Sequence, residues 1–409
     1  MTPFALRDLV LRQVPPGPSI VALSGGADSV FLAWAVAERP PVRAVTVDHR
    51  LPASASLVEA AVKAAAHLGL EHAVIPAGPA SPTESDLRRV RLEALEIDAA
   101  SDEWILTGHT GDDQAETVLG NLLRGAGSAG LAGVPVRRGR FVRPMLALGR
   151  AEVRAAVEAL GLPFVDDPMN LDMGIRRNRL RLETIPMLEE AYNRRLRQAL
   201  MRTGALLAAD DALIDARAAA VPLRRDEEAV LIPASALSLL PGPIASRVVR
   251  RALRLLAGPH GGVARAVETV LAVAAGDPGG EVPGGLSVRR EGPFVALAGP
   301  PPDPPGPVSL PVPGVARFGP WTVETGSGGV AVPVSGPITI RASRPGDRVA
   351  IVGGHKSVVE ALREAGVPPR LRSRWPVVEE SGRIAWVVGV RVSSDGGRRV
   401  MMRAKKERG

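Results

Sequence analysis

The chain has 409 residues, 45% of them apolar, so it is long enough for two or three domains with ordinary hydrophobic cores. It contains no cysteine, which excludes disulfides, zinc-thiolate sites and a thiol nucleophile. The net charge of +8 fits a polyanionic partner such as nucleic acid, although an arginine-rich composition of the kind that GC-rich genomes favour would also produce it. No run of about 20 apolar residues and no secretory signal is recognisable, so we expect a soluble, cytoplasmic protein.

Apolar runs and helical patterns alternate along the first half of the chain. Four runs predict strands, namely residues 20–23, 44–49, 72–77 and 102–109, and amphipathic patterns separate them. This alternation predicts a parallel sheet with helices on both faces, and such sheets bind ligands beyond the carboxyl ends of their strands. The first half is therefore predicted to have an α/β fold.

The first predicted strand ends in the sequence Ser24-Gly25-Gly26-Ala27-Asp28-Ser29, and a helical pattern follows at once. Two glycines let the backbone approach an anion, and the free N–H groups at a helix start favour negative charge. The stretch lacks the Gly-Lys-Ser/Thr ending of a Walker loop and the GxGxxG pattern of dinucleotide folds. It predicts a phosphate-binding loop, the alternative being an ordinary turn in which Asp28 caps the helix.

A second polar cluster follows the fourth predicted strand. His109, Asp112, Asp113 and Glu116 lie at the end of that strand or in the first turns of the next helix. Carboxylates there interact favourably with the helix dipole, so helix capping is one interpretation. Acidic oxygens beside a phosphate loop also suit the magnesium ion that accompanies ATP, and we favour that interpretation.

Arginines recur downstream of both clusters. Arg88 and Arg91 share one face of a predicted helix, Arg124 precedes a glycine-rich loop, and four arginines surround Asn178 between residues 176 and 181. Contact with phosphate and exposure on a solvated helix face both remain open for these residues.

The second half of the chain divides by composition. Residues 192–273 have helical patterns, residues 276–309 are rich in glycine and proline as in a linker or boundary, and the remainder combines short strand-like runs with one helix at 356–366. We predict a helical middle domain and a small mixed α/β C-terminal domain.

A series of motifs in a fixed order resembles the bacterial tRNA(Ile)-lysidine synthetase family of the N-type ATP pyrophosphatases. The motifs are SGGADS, GHTGDDQAET, NLLRGAGSAGLAGVP, RPML, DDPMN with RNRLRLETIP, and RPGDR with KSVVEALREAGVPPRLRSRWPVV. The resemblance implies an ATP pyrophosphatase domain at 1–190, a helical tRNA-recognition domain at 191–300 and a tRNA-binding domain at 310–409. It implies a ligase that joins free L-lysine to C2 of the wobble cytidine of tRNA(Ile) with a CAU anticodon, through an adenylated cytidine, releasing AMP and diphosphate.

The resemblance also implies roles for individual residues. The ATP-binding residues would be Ser24, Gly25, Gly26, Ala27, Asp28 and Ser29; Asp28 and Asp113 would hold Mg²⁺, and His109 and Asp112 would complete the catalytic set. Candidates for contact with lysine or tRNA are Arg88, Arg91, Glu116, Arg124, Asp167, Asn178, Arg179 and Arg181. Both Asp167 and Glu116 suit an amine of lysine, and the choice between them stays open. The family implies a monomer or a homodimer, and no membrane association.

Two positions depart from the family pattern. His49-Arg50-Leu51-Pro52 stands where His-x-Leu-Arg is usual, and Leu92 stands where the pattern has tyrosine, so we assign Arg50 no role and expect no stacking at position 92. The alternative function is that of another ATP pyrophosphatase with this loop, one that modifies tRNA differently or transfers ammonia. The absence of cysteine disfavours the thiolating and glutamine-dependent enzymes. A tRNA-binding module with a degenerate loop is a further alternative, disfavoured by the intact acidic cluster.

Overall fold

The structure, a computed structural model, describes residues 1–39, 41–51, 54–78, 83–226, 229–258, 264–326, 328–396 and 398–407. The chain forms two compact units, Met1–Leu213 and Ile214–Gly409. The finer division at 1–190, 191–300 and 310–409 stays a prediction.

The first unit is an α/β fold, as the alternating pattern predicted. Its strands are β1 Ser19–Ala22, β2 Val42–Asp48, β3 His72–Pro76, β4 Trp104–Leu106, β5 Arg137–Arg138 and β6 Phe141–Val142. Its helices are α1 Pro3–Leu11, α2 Ala27–Val36, α3 Ser54–His67, α4 Glu84–Asp98, α5 Gly111–Leu122, α6 Ser128–Leu131, α7 Arg150–Ala159, α8 Arg176–Arg179 and α9 Ile185–Ala191, with a 3-10 turn at Pro168–Leu171 and a π-helical turn at Leu180–Thr184. The long helix α10, Leu196–Ala219, runs from the first unit into the second.

The sheet of the first unit has the strand order β3-β2-β1-β4-β6-β5 and is parallel except for the β5–β6 pair. Helix α2 is the most deeply buried of its coverings, since Val30, Phe31 and Leu32 are fully buried. An apolar helix packed on β1 fixes the position of the loop between them. The carboxyl ends of β1, β2 and β4 consequently share one edge of the sheet.

The second unit begins with a mixed segment. The helices are α11 Ala234–Leu239, α12 Gly242–Ala257 and α13 Ala264–Ala275, and the strands are β7 Arg224–Asp226, β8 Ala229–Pro233, β9 Gly280–Val282, β10 Leu286–Glu291 and β11 Phe294–Ala298. The strands form an antiparallel sheet in the order β7-β8-β11-β10-β9. The predicted helices are thus present, together with a sheet that the sequence analysis did not predict.

Part of the stretch interpreted as a linker forms that sheet. Residues 280–298 fold into β9, β10 and β11, whereas residues 299–307 contain no helix or strand. Gly284, Gly285 and Gly292 have φ of +92°, +70° and +56°, which L-residues rarely adopt, and they lie in the turns between these strands. Three of the glycines that indicated a linker are therefore hairpin residues.

The C-terminal segment contains two sheets. Its strands are β12 Val308–Leu310, β13 Gly314–Phe318, β14 Trp321–Gly326, β15 Val330–Pro333, β16 Ile338–Ala342, β17 Arg348–Ile351, β18 Gly354–Ser357, β19 Pro376–Glu380, β20 Arg383–Val387, β21 Arg391–Val392 and β22 Arg399–Lys406. Its helices are α14 Val358–Glu364 and α15 Pro369–Arg372. One sheet has the order β12-β16-β19-β20-β17-β18 with β21 beside β20, and the other β13-β14-β22-β15. This is the predicted mixed α/β arrangement.

Among the described residues, none of the helices combines the length and the apolar character that crossing a membrane requires.

Candidate active site

A cavity of about 570 Å³ opens at the carboxyl ends of β1, β2 and β4. Its walls include residues of the predicted phosphate loop, of helix α4, of the start of α5 and of the segment from 165 to 182. The predicted site residues that line it are Ser24, Gly26, Ala27, Asp28, Ser29, Arg88, Arg91, His109, Asp113, Asp167, Asn178 and Arg181. The fold therefore brings together most of the residues that the sequence motifs singled out.

The conformation of the phosphate loop is stabilised by hydrogen bonds between its own residues. The Ser29 hydroxyl accepts from the Ser24 backbone N–H at 3.1 Å and donates to the Gly26 carbonyl at 2.9 Å. Gly25 has φ of +83°, and a Cβ there would lie 2.2 Å from the Leu57 carbonyl oxygen. Glycine is required at this position. The first N–H groups of a helix have no acceptor within it, and α2 begins at Ala27, although the Ser29 N–H reaches the Gly26 carbonyl at 3.1 Å. The geometry is that of an anion cradle.

Asp28 lies in the first turn of α2 and points into the cavity with few partners. Its Oδ2 accepts from Arg150 Nε at 3.2 Å, whereas its Oδ1 is buried without a hydrogen-bond partner. Burial raises the pKa of Asp28 to about 6, and the negative charge of Asp113 adds to this while Arg150 opposes it. Asp28 is a partly buried carboxylate with one buried oxygen that has no hydrogen-bond partner.

Asp113, in contrast, has partners on both oxygens. Its Oδ2 accepts from the Thr110 backbone N–H at 2.7 Å and so caps helix α5, and its Oδ1 accepts from Arg150 at 2.9 Å and Arg177 at 2.8 Å. Burial alone would raise the pKa of Asp113, but these two guanidinium groups hold it well below its usual range. Both interpretations of this residue, helix cap and charged site residue, are compatible with this geometry.

Glu116 lies one turn further along α5 and is only 2% exposed. Its Oε1 accepts from Arg181 Nε at 2.6 Å and its Oε2 from Arg177 Nε at 2.7 Å, with a longer contact from Arg150 at 3.4 Å. Three carboxylates, those of Asp28, Asp113 and Glu116, thus face three guanidinium groups, and their charges balance.

His109 is oriented by two hydrogen bonds. Arg88 Nη1 lies 3.3 Å from His109 Nε2, and Thr107 Oγ1 lies 2.9 Å from His109 Nδ1. Because a guanidinium only donates, Nε2 accepts and Nδ1 carries the hydrogen. Burial lowers the pKa of His109 well below its usual range, and Arg88 and Arg91 act in the same direction. The neutral imidazole therefore holds Arg88 toward the cavity.

Comparison with known proteins finds two matching family profiles. One, described as a PP-loop domain, matches residues 8–188, and the other, described as the TilS substrate C-terminal domain, matches residues 338–403. The tRNA(Ile)-lysidine synthase of Solibacter usitatus is 31% identical over 406 residues, which cover 90% of this chain and 92% of the relative. That of Salinispora tropica is 36% identical, covering 72% and 94%. The chain belongs to the tRNA(Ile)-lysidine synthase family.

The tRNA(Ile)-lysidine synthase of Thermus thermophilus is likewise 36% identical, over 94% of this chain and 71% of its own length. Among solved structures, a U34-tRNA thiolase from Methanococcus maripaludis is similar with a TM-score of 0.42 and 18% identity, covering 50% of this chain and 78% of that one. The family and the fold class expected from the motifs are confirmed.

Several residues singled out by the lysidine synthase motifs lie away from the cavity lining. The carboxylate of Asp112 accepts from the Arg150 backbone N–H at 2.7 Å and pairs with Arg197 at 3.1 Å. Arg124 and Arg179 are exposed, and Arg124 donates to Asn121. Their proposed roles stay predictions.

The two departures from the lysidine synthase pattern have different surroundings. Arg50 is exposed, with φ of +54° and its backbone N–H bonded to Asp48 at 2.8 Å, while Pro52 lies outside the described residues. Leu92 lines the cavity, so an aliphatic side chain contributes to the wall where the family pattern has an aromatic one.

A magnesium ion fits this lysidine synthase site through two carboxylates. No cluster of three or more histidine, aspartate or glutamate side chains with metal-ligand geometry occurs in the part of the chain that the structure describes. Magnesium commonly uses one or two protein carboxylates and completes its shell with water and substrate phosphates. The carboxylates of Asp28 and Asp113, which line the same cavity, suit that mode of binding, and Arg150 occupies one oxygen of each in the ligand-free protein.

Sequence reasoning assigned no role to Arg150, although it contacts three of the acidic residues. One signal was available. Arg150 is the first residue of helix α7, where a cation opposes the helix dipole, so a reason other than helix stability is required for it. Arg177 was seen only as part of a basic stretch, and its pairing with Asp113 and Glu116 had no signal in the sequence.

Proposed function

We propose that this protein is a tRNA(Ile)-lysidine synthetase that joins free L-lysine to C2 of the wobble cytidine of tRNA(Ile) with a CAU anticodon, using ATP. The observation that carries the proposal is the meeting of the Ser24–Ser29 loop with Asp113 and with Asn178 and Arg181 in one cavity. A phosphate loop, acids for a metal and a basic segment are the parts that adenylation of a nucleotide requires. Membership of the lysidine synthase family, with matches to both of its domain profiles, adds to it.

The reaction proceeds in two balanced steps. First, the cytosine O2 attacks the α-phosphorus of ATP, the bond to the bridging oxygen of the β-phosphate breaks, and diphosphate leaves. Second, the neutral ε-amine of lysine, formed by loss of one proton from the ammonium to water, attacks C2. The new N–C2 bond forms, the nitrogen loses one proton to water, the C2–O2 bond breaks, and AMP leaves carrying that oxygen. The chain has to hold the polyphosphate in line and stabilise the charge that develops on the departing diphosphate and AMP.

The residues divide this work by position. The backbone of the Ser24–Ser29 loop binds the phosphates, and Asp28 with Asp113 would hold a magnesium ion, which supplies positive charge against the phosphate oxygens when bound. Arg88, oriented by neutral His109, faces the same cavity and stabilises negative charge there. Val47, Leu57 and Leu92 give part of the cavity an apolar wall suited to a nucleobase.

Asp167 is better placed than Glu116 to bind an amine of lysine. It lines the cavity, and one of its oxygens caps the 3-10 turn by accepting from Met169 N–H at 2.9 Å, which fixes its orientation. Glu116 has both oxygens occupied by arginine. Asp167→Asn is therefore expected to raise KM for lysine and leave KM for ATP nearly unchanged.

The decisive experiment supplies purified protein with ATP, magnesium, radiolabelled lysine and a tRNA(Ile) transcript with a CAU anticodon. We expect label in the tRNA together with AMP and diphosphate in equal amounts, and none with elongator methionine tRNA. Ammonium replacing lysine as the required amine, or ADP as the product, would refute the function. The substrates ATP and tRNA support the predicted cytoplasmic location.

A further inference from the structure

We propose that Arg150 is a positioning residue that exchanges partners, holding the site carboxylates in the ligand-free protein and moving its guanidinium to the polyphosphate when nucleotide and metal enter together. The proposal rests on the proposed function only in taking Asp28 and Asp113 as the metal-binding acids.

The contacts of Arg150 define the ligand-free state. Its Nε lies 3.2 Å from Asp28, its Nη2 2.9 Å from Asp113 and its Nη1 3.4 Å from Glu116. One guanidinium thereby bridges the helix after the phosphate loop, α2, to the helix after β4, α5. These carboxylate oxygens are the atoms that a divalent cation would need, and a cation and a guanidinium cannot occupy the same position.

The backbone of Arg150 is anchored independently of its side chain. Its N–H donates to Asp112 at 2.7 Å, and helix α7 buries Val153 and Val157 in the core of the first unit. Only the side chain needs to move for the partners to change. The guanidinium lines the cavity that also contains Ser24, Gly26 and Ser29, so a polyphosphate bound by that loop lies within the reach of a long, flexible side chain.

Asp113 and Glu116 do not depend on Arg150 alone. Arg177 contacts Asp113 at 2.8 Å and Glu116 at 2.7 Å, and Arg181 contacts Glu116 at 2.6 Å. Departure of Arg150 therefore leaves Glu116 compensated and frees Asp28 Oδ2. Asp113 Oδ1 loses the contact with Arg150 and keeps those with Arg177 at 2.8 Å and Arg181 at 3.5 Å. Asp28 Oδ2 is therefore the oxygen that the exchange frees, and the proposed metal ligand Asp113 loses one of its guanidinium partners.

A thermodynamic consequence follows. A metal ion alone must displace Arg150 without offering it a new anionic partner, whereas metal with nucleotide supplies phosphate oxygens to the displaced guanidinium. Metal and nucleotide should therefore bind with positive coupling, and Arg150 should carry part of that coupling. If Arg150 had a purely structural role, its replacement would lower the affinity for metal alone, since a damaged site binds metal more weakly.

The test measures binding of Mn²⁺ alone to the ligand-free protein by electron paramagnetic resonance, with no turnover involved. Because Mn²⁺ no longer has to break the charge-assisted hydrogen bonds of Arg150, we expect Arg150→Met to bind Mn²⁺ about tenfold more tightly than wild type or more. Adding α,β-methylene-ATP should tighten Mn²⁺ binding strongly in wild type and much less in Arg150→Met. The matched control is Arg89→Met, which removes an exposed arginine that pairs with Asp86 and Glu93 on α4 and should leave both values unchanged.

Two further variants keep the proposal falsifiable. Asp113→Asn added to Arg150→Met should abolish the gain in Mn²⁺ affinity. If the methionine variant does not fold, Arg150→Gln is used in its place and should show the same gain. An Mn²⁺ affinity of the folded variants equal to or below that of wild type would overturn the proposal, as would a gain that survives Asp113→Asn. Failure of lysine incorporation in wild type would refute the function and leave this comparison standing, so the two outcomes are distinguishable.

Discussion

Asp28 and Asp113 are carboxylates of the same cavity, but the fold uses them differently. Asp113 caps helix α5 and pairs with two arginines, whereas Asp28 has one 3.2 Å contact and a buried oxygen without a partner. Removing a hydrogen-bonded buried carboxylate destabilises a fold, while an unpartnered one contributes little to it. The two residues can therefore separate the catalytic role from the structural one.

Asp28→Asn should lower lysine incorporation at least about a hundredfold while leaving the thermal unfolding midpoint close to that of wild type or above it, because it removes a charge that the site needs and the fold does not. Incorporation assays and differential scanning calorimetry on the same preparation provide the measurement. Asp113→Asn serves as the contrast, since it should lose activity and also ~1–3 kcal/mol of stability. Equal destabilisation by both changes would contradict the distinction.

The sequence could name the acids and most of the arginines at this scale, because each belongs to a motif with a recognisable chemistry. The sequence could not show which arginine pairs with which acid. Arg150 and Asp28 are 122 residues apart, and Arg177 and Glu116 are 61 apart. Such contacts are set by the sheet order and by the path of the chain after α7, neither of which is visible in local residue patterns.

At the scale of elements, the phosphate loop depends on close packing between α2 and α3. The Gly25 backbone approaches the Leu57 carbonyl so closely that no side chain fits, and the Gly25 carbonyl accepts from Val165 N–H at 3.0 Å. The loop is thus fastened both to a helix and to the segment that bears Asp167. Its conformation is built into the ligand-free protein.

Gly25→Ala should therefore destabilise the protein by more than the ~1–3 kcal/mol typical of backbone strain, because the methyl group also collides with the Leu57 carbonyl. ATP binding should be lost with it. Gly78→Ala is the matched control, since its Cβ would meet nothing within 4 Å and its φ is not positive. Thermal unfolding and fluorescent nucleotide titration report the two effects, and an unchanged midpoint for Gly25→Ala would contradict the loop geometry.

A second element-scale prediction concerns an ion-pair cluster at the amino ends of β2 and β4. Arg43 on β2 contacts Glu103 at 2.7 Å and Asp98 at 2.7 Å, and the hydrogen bond from Arg43 lowers the pKa of Glu103 below its ordinary value of 4.5. A carboxylate with a depressed folded-state pKa contributes stability above its unfolded pKa and loses it as the pH falls through the folded value. The contribution should be complete above about pH 5.5.

Arg43→Met should consequently cost stability at pH 7, and the difference from wild type should shrink as the pH falls below 4.5. Urea unfolding of both proteins between pH 3.5 and pH 7 measures it, on the order of 1 to 3 kcal/mol at the upper end. Lys63→Met, which breaks an exposed pair with Glu59, is the control that should show almost no effect. A difference that stays constant across this range would exclude the titration of Glu103 as its source.

Elements of the first unit were predictable because strands and helices alternate there with strong apolar patterns. The sheet formed by β7 to β11 was not, since its strands have three to six residues and its turns have the composition of a linker. Short strands acquire their identity from the partner strands and helices that cover them, such as α12 with buried Val248 and Val249.

At the scale of the whole molecule, the net positive charge comes from one part of the chain. Residues 310–409 carry 17 lysine and arginine residues against 8 aspartate and glutamate residues, so the other residues carry 34 against 35. The net charge of +8 is thus a property of the C-terminal segment. The described residues that line the cavity, by contrast, all lie between 22 and 182. The net positive charge that would attract a polyanion and the cavity that would carry out the reaction thus lie in different parts of the sequence.

Deletion of residues 310–409 should weaken tRNA binding and reduce its salt dependence, while ATP binding is retained because the cavity is complete without them. Filter binding at several salt concentrations measures the first and nucleotide titration the second. Deletion also removes Arg370, which pairs with Asp226, so a full-length variant with exposed Arg344, Arg383 and Arg391 changed to alanine provides the control. It should flatten the salt slope in the same direction, and an unaltered slope in both proteins would contradict the assignment.

The balance of three acids and three arginines at the cavity and directly behind its wall bears on the stability of the ligand-free protein. Three uncompensated carboxylates in a partly buried space would repel one another and favour unfolding. Arg150, Arg177 and Arg181 pair with these carboxylates, so their charges are compensated before nucleotide binds. The arginines thus supply, in the ligand-free fold, the positive charge that a bound cation would otherwise bring to these carboxylates.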